Sequence, residues 1–175
     1  MANYKDIKKN VEVYWDLNDK DVLCQKLKTA FKGIQSDPQN IWRSDNMERH
    51  EDSLNNLVAF FLMGFYGDGR IHREKPQGYS GEGKNQGELD IVIYKDDFQF
   101  AIIESLRLLH ISKKGNLNET HKADLDRHLG KLLNSYDPRG VGMKVLTIYA
   151  YVRESRNLYE SIEDYLVKYF LQKKV

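Results

Sequence analysis

The stretch "GELDIVIYKDDFQFAIIESLRLL", residues 87–109, commits this chain to a sheet. Two runs rich in isoleucine and valine flank a polar turn around Asp96-Asp97, so "ELDIVIYKDD" and "QFAIIESLRLLHI" read as neighbouring strands. Downstream, "NETHKADLDRHLGKLLNSYD" carries Leu125, Leu129, Leu132 and Leu133 at helical spacing. A third strong strand, "KVLTIYAYV", follows it. A strand, a helix and a further strand require a crossover, so the sheet must be parallel or mixed in part.

The flanks are helical. "DKDVLCQKLKTAFKGI" and "ERHEDSLNNLVAFFLMGFYGDG" show apolar stripes, the second ending at Gly67 and Gly69. "GRIHREKPQGYSGEGKNQG" reads as a short strand running into a polar loop, and "NLYESIEDYLVKYFLQ" closes as an amphipathic helix. The order is α-α-β-β-β-α-β-α. With 175 residues the expectation is one α/β domain, with a helical extension over 1–44 and a core over 45–175.

Within the strands stand two acids, Asp90 before Ile-Val-Ile-Tyr and Glu104 after Ala-Ile-Ile. A buried carboxylate without a partner costs several kcal/mol or takes up a proton. Strict alternation puts Glu88, Asp90 and Val92 on one face, with Ile102, Glu104 and Leu106 together on the next strand. Two carboxylates so placed repel, and a hard divalent cation such as Mg²⁺ or Mn²⁺ relieves them. The structural alternative is a strand cap at Asp90 and an ion pair from Glu104 to Arg107 or Arg73.

"GELDIVIY" and "FAIIESL", in this order of elements, resemble the core of the PD-(D/E)XK nucleases over roughly the last two-thirds of the chain. The resemblance implies a restriction-endonuclease-like mixed sheet flanked by helices, with metal-dependent hydrolysis of DNA. It makes Asp90 and Glu104 metal carboxylates and the Ser105 carbonyl a third ligand. It also makes Glu51 an assisting acid on the first core helix, with Glu48 and Glu74 as substitutes. As a structural alternative, Glu51 is a first-turn acid favoured by the helix dipole. "KLLNSYDPRG" resembles stretches of bacterial defence-associated nuclease modules.

The departure is Leu106, which stands where the family's motif places a lysine. Catalysis depends on where the charge lies in space, so Lys84 on the glycine-rich loop is the catalytic candidate to supply it, with Lys131 on the crossover helix in reserve. Arg107 should point to the opposite face. Arg70, His72, Arg73 and Lys75, with Tyr79 interleaved, form a candidate DNA-facing stripe, joined by Lys84, His128 and Lys131. His121 and Asp124, or Asp124 and His128, have metal-ligand spacing, but no third ligand of that kind is near either pair, so the helix reads as solvated or phosphate-facing. The rival reading is a degenerate nuclease fold that binds nucleic acid or protein and cuts nothing. An unrelated α/β enzyme with structural acids is a third.

Other classes fall away. A net charge of +1 leaves nucleic acid to be held by a local patch. The single Cys24, expected in a helix core, excludes an intrachain disulfide and a cysteine zinc cage. "GYSGEGKNQG" lacks the Gly-Lys-Ser/Thr entry to a helix that nucleotide hydrolysis needs. The N-terminus is charged from Lys5 on and carries no apolar signal-peptide run, and the longest apolar run, "LVAFFLMGF", is too short to span a membrane, so the expectation is a cytoplasmic protein with no membrane contact, open to a homodimer or a protein partner.

Overall fold

The computed structural model describes residues 17–36, 50–76, 88–95, 98–112, 114–135, 143–150 and 155–173. Helices α1 (Leu17–Ser36) and α2 (His50–Tyr66) precede strands β1 (Ile71–Pro76), β2 (Glu88–Lys95) and β3 (Phe98–Leu108). Helix α3 (Glu119–Gly130) runs into a π-helical turn, Lys131–Ser135, before β4 (Met143–Ala150) and α4 (Ser155–Lys173). The element order is the one the periodicities dictate.

The sheet is open and mixed, in the order β1-β2-β3-β4. β1, β2 and β3 form an antiparallel meander, and β4 returns through α3 to lie parallel to β3. Two apolar layers cover it. On one face Leu23, Leu27 and Ile34 of α1 and Leu54, Val58 and Leu62 of α2 pack on Ile71, Ile91, Ile93 and Ile103. On the other, Leu132 meets Leu89, Val92 and Ile102. Beside it, Leu125 meets Leu106 and Leu108, with Ile162 and Tyr165 of α4 against them.

Local chemistry explains the ends. Gly67 closes α2 at φ 90°, a left-handed conformation that glycine adopts without steric cost, and its N–H donates to Met63 O at 2.8 Å. Asn118 caps α3 by accepting from His121 N at 2.9 Å, and Asn118 N donates back to His121 Nδ1 at 3.2 Å. Nδ1 being an acceptor, Nε2 carries the proton and donates to Leu109 O at 2.7 Å.

Two sequence expectations change here. Cys24 is exposed, because Leu23, Leu27, Ala30 and Ile34 make the inner stripe and a neighbour of Leu23 lies about 100° round the helix. Leu89, expected beside Ile91 and Ile93, packs instead with Val92 and Ile102. Its pairing with Lys75 of β1 keeps the regular register of that ladder.

Candidate functional site

Asp90 and Glu104 stand one step beyond Ile91↔Ile103, the last pair of the β2–β3 ladder on that side. β2 stays paired with β1 as far as Pro76↔Glu88, so at Asp90 it has left β3 but not the sheet. The backbone N–H of Ser105, with no β2 carbonyl opposite, donates to Asp90 Oδ2 at 2.6 Å. The parting of the strands therefore makes the acidic site and supplies one hydrogen bond to it.

Glu104 is almost fully buried, at 2% exposure. Its Oε1 accepts from His128 Nδ1 at 2.8 Å and faces Lys131 Nζ at 3.7 Å. Its Oε2 is buried with no hydrogen-bond partner among the described residues. Lys131 is about one-third exposed, so its charge sits at the border between this carboxylate and water.

The electrostatics are those of crowded acids. Burial, and then the charge of Glu104, push the Asp90 carboxyl up to about 7, against the pull of the Ser105 N–H. Glu51, in the first turn of α2, is also raised, chiefly by burial, with Glu104 and Asp52 adding to the rise and His128 and Arg107 opposing it. The mutual influence of Glu51, Asp90 and Glu104 marks one electrostatic cluster built from α2, β2 and β3.

Beneath the acids runs a buried polar chain. Ser105 Oγ donates to Asn55 Oδ1 at 2.7 Å, and the Tyr149 hydroxyl donates to the same oxygen at 2.9 Å. Ser105 has spent its one proton, so at 2.8 Å the Thr147 hydroxyl is the donor to it. Burial pushes the Tyr149 hydroxyl up to about 12, which keeps it a donor. Asn55 lies one helical turn after Glu51, so this anchor holds the helix face that carries Glu51 against the sheet.

The candidates from sequence separate clearly. Asp90, Glu104, Glu51, His128 and Lys131 come together. Leu106 is 3% exposed and fills the apolar layer with Leu108 and Leu125. Arg73 is hydrogen-bonded to Asn56 and lies 3.9 Å from Asp52, held to α2. Arg70 is exposed on the turn before β1, and the His72 ring packs edge-on against Tyr94. Lys84, Glu48 and Tyr79 lie outside the described residues, as do the side chains of Glu74 and Lys75. His128, expected on a solvated or phosphate-facing surface, is 7% exposed and turned inward; His121 is buried in its capping role.

Sequence reasoning missed Asn55, Thr147 and Tyr149. The available signal was an asparagine inside the Leu54–Val58 stripe, and two hydroxyl residues on one face of β4. The chain matches no protein-family model, no curated protein and no solved structure. Among the described residues no helix is long and apolar enough to cross a membrane.

Proposed function

We propose that the protein is a divalent-metal-dependent phosphodiesterase of the PD-(D/E)XK type acting on DNA, with Lys131 supplying the charge that Leu106 cannot. One observation carries the reading: at the point where β2 and β3 part, Glu104 keeps a buried Oε2 with no hydrogen-bond partner among the described residues, with Asp90 beside it and Lys131 Nζ 3.7 Å from its other oxygen. The antiparallel meander followed by a crossover to a parallel strand agrees with the order of the family's core.

The donor set fits a hard cation. Asp90 and Glu104 offer oxygens alone; no group of three His, Cys, Asp or Glu side chains able to hold a metal is present among the described residues, so the site would rest on two carboxylates and backbone. Mg²⁺ and Mn²⁺ suit such a site, since Mg²⁺ keeps several waters and takes one or two carboxylates. The Ser105 carbonyl is the third ligand of the proposal. A bound cation supplies a more acidic water and neutralises charge on the phosphoryl oxygens. The chain does the rest. Asp90 and Glu104 hold the site's negative charge, and Lys131 presents an ammonium at its edge for the scissile phosphate. Glu51, its proton affinity raised by burial, is placed to take a proton. The likeness of "KLLNSYDPRG" to defence-associated modules sets the biological context within the same proposal.

The test is cleavage of single-stranded, double-stranded and branched DNA with Mg²⁺ or Mn²⁺, in wild type, Asp90→Asn and Glu104→Gln. Cleavage by wild type and its loss in both variants is expected. Activity that survives both substitutions refutes the assignment. Leu106, packed as core, favours the rival reading of a nuclease fold that binds DNA without cutting; an inert wild type that still retains DNA would establish that rival.

A further inference from the structure

We infer that His128 is the positioning residue of Glu104: it saturates Oε1 and so leaves Oε2 as the oxygen free to meet a cation. This rests on the metal-dependent reading above and assigns His128 a role different from contact with nucleic acid.

A carboxylate only accepts, so His128 Nδ1 must be the donor across the 2.8 Å contact. Lys131, one turn further along, approaches the same oxygen. The two groups of the crossover helix that reach Glu104 therefore both address Oε1, and none of the described residues hydrogen-bonds Oε2. The asymmetry is built into the fold. His121 fastens the start of α3 to the end of β3 through Leu109 O at 2.7 Å. His128 lies seven residues later, two turns along the same helix face, and falls on Glu104. Two histidines thus clamp α3 lengthwise on β3, the first to backbone and the second to the acid. Leu125 and Leu129, its neighbours in sequence on α3, are buried with it.

Partners of this kind fix the orientation of a ligating carboxylate and are worth a factor in metal affinity. Asparagine can place an N–H donor close to the position of Nδ1, glutamine places it one bond further out, and leucine provides none. The measurement is Mn²⁺ affinity by isothermal titration on the full chain, with the melting temperature of each variant in EDTA as a control for folding. Expected is a loss of about 10–100-fold in affinity for His128→Leu, and recovery to within about threefold of wild type for His128→Asn. Should His128→Leu not fold, His128→Gln against His128→Asn carries the comparison, with the weaker binding expected for glutamine. Equal affinity in wild type and a folded His128→Leu overturns the positioning role while leaving the metal reading standing. Asparagine binding no better than leucine or glutamine also overturns it. A wild type that takes up no Mn²⁺ overturns the metal reading, and the role of His128 with it.

Discussion

Asp90→Asn tests whether the acidic cluster is under electrostatic load. The carboxyl is raised from 3.8 to about 7, first by burial and then by Glu104. A folded-state value above the unfolded one means that the native protein binds this proton more tightly. The contribution of Asp90 to stability is therefore intact below about pH 4 and is lost as pH rises through about 7. Three units at about 1.4 kcal/mol each set a ceiling of about 4 kcal/mol, and water reaching a part-exposed group lowers this to about 2 kcal/mol. Asparagine has no charge to desolvate, and its Oδ1 can still accept from Ser105 N. In EDTA at pH 8 the variant should melt about 4–8 °C above wild type, and the gap should shrink to nothing near pH 4. Mg²⁺ should raise the wild type and not the variant. Melting curves from pH 4 to 8.5 decide the matter: parallel pH profiles for the two proteins would refute the idea that Asp90 is held against its preference.

Lys131→Ala should lower the cleavage rate about 10²–10³-fold with little change in melting temperature, since one transition-state contact is lost from a part-exposed side chain; cleavage within a few-fold of wild type would return the role to Lys84. Leu106→Lys should cost at least about 3 kcal/mol in urea denaturation and give no gain in cleavage, because residue 106 lies among Leu108 and Leu125. Faster cleavage at unchanged stability would show that the strand position can still be used. Asn55→Leu should cost about 2–4 kcal/mol by stranding the hydroxyls of Ser105 and Tyr149, and a loss below about 1 kcal/mol would mean that the buried chain rearranges around its absence.

The parts of this fold readable from sequence are those set by neighbours along the chain. The leucine stripe of α3, the glycine end of α2 and the isoleucine runs of β2 and β3 each follow from local periodicity or backbone freedom. The parallel return of β4 followed from the crossover alone. Asp90 and Glu104 stood out because a charge inside an apolar strand is costly wherever the strand goes. The inward turn of His128 was not readable, since whether a helix histidine faces water depends on how α3 lies on β3, and that is decided at Leu109 and Glu104. Cys24 was misplaced for a related reason: the breadth of the buried stripe on α1 depends on how α2 lies beside it.

The Asn55 anchor also has a consequence for how the molecule can be assembled and divided. Its single oxygen joins positions 50 and 94 residues away in sequence, Ser105 and Tyr149. Hairpin β2–β3 can form from contacts a few residues apart, yet the polar chain behind it closes only once β4 has docked. Loops of that length cost entropy before they return anything, so this closure belongs late in folding. A fragment ending before β4 would keep Asp90 and Glu104 in its sequence while lacking the donors of Thr147 and Tyr149. The polar chain beneath the acidic cluster is therefore a property of the whole sheet, complete only with its last strand.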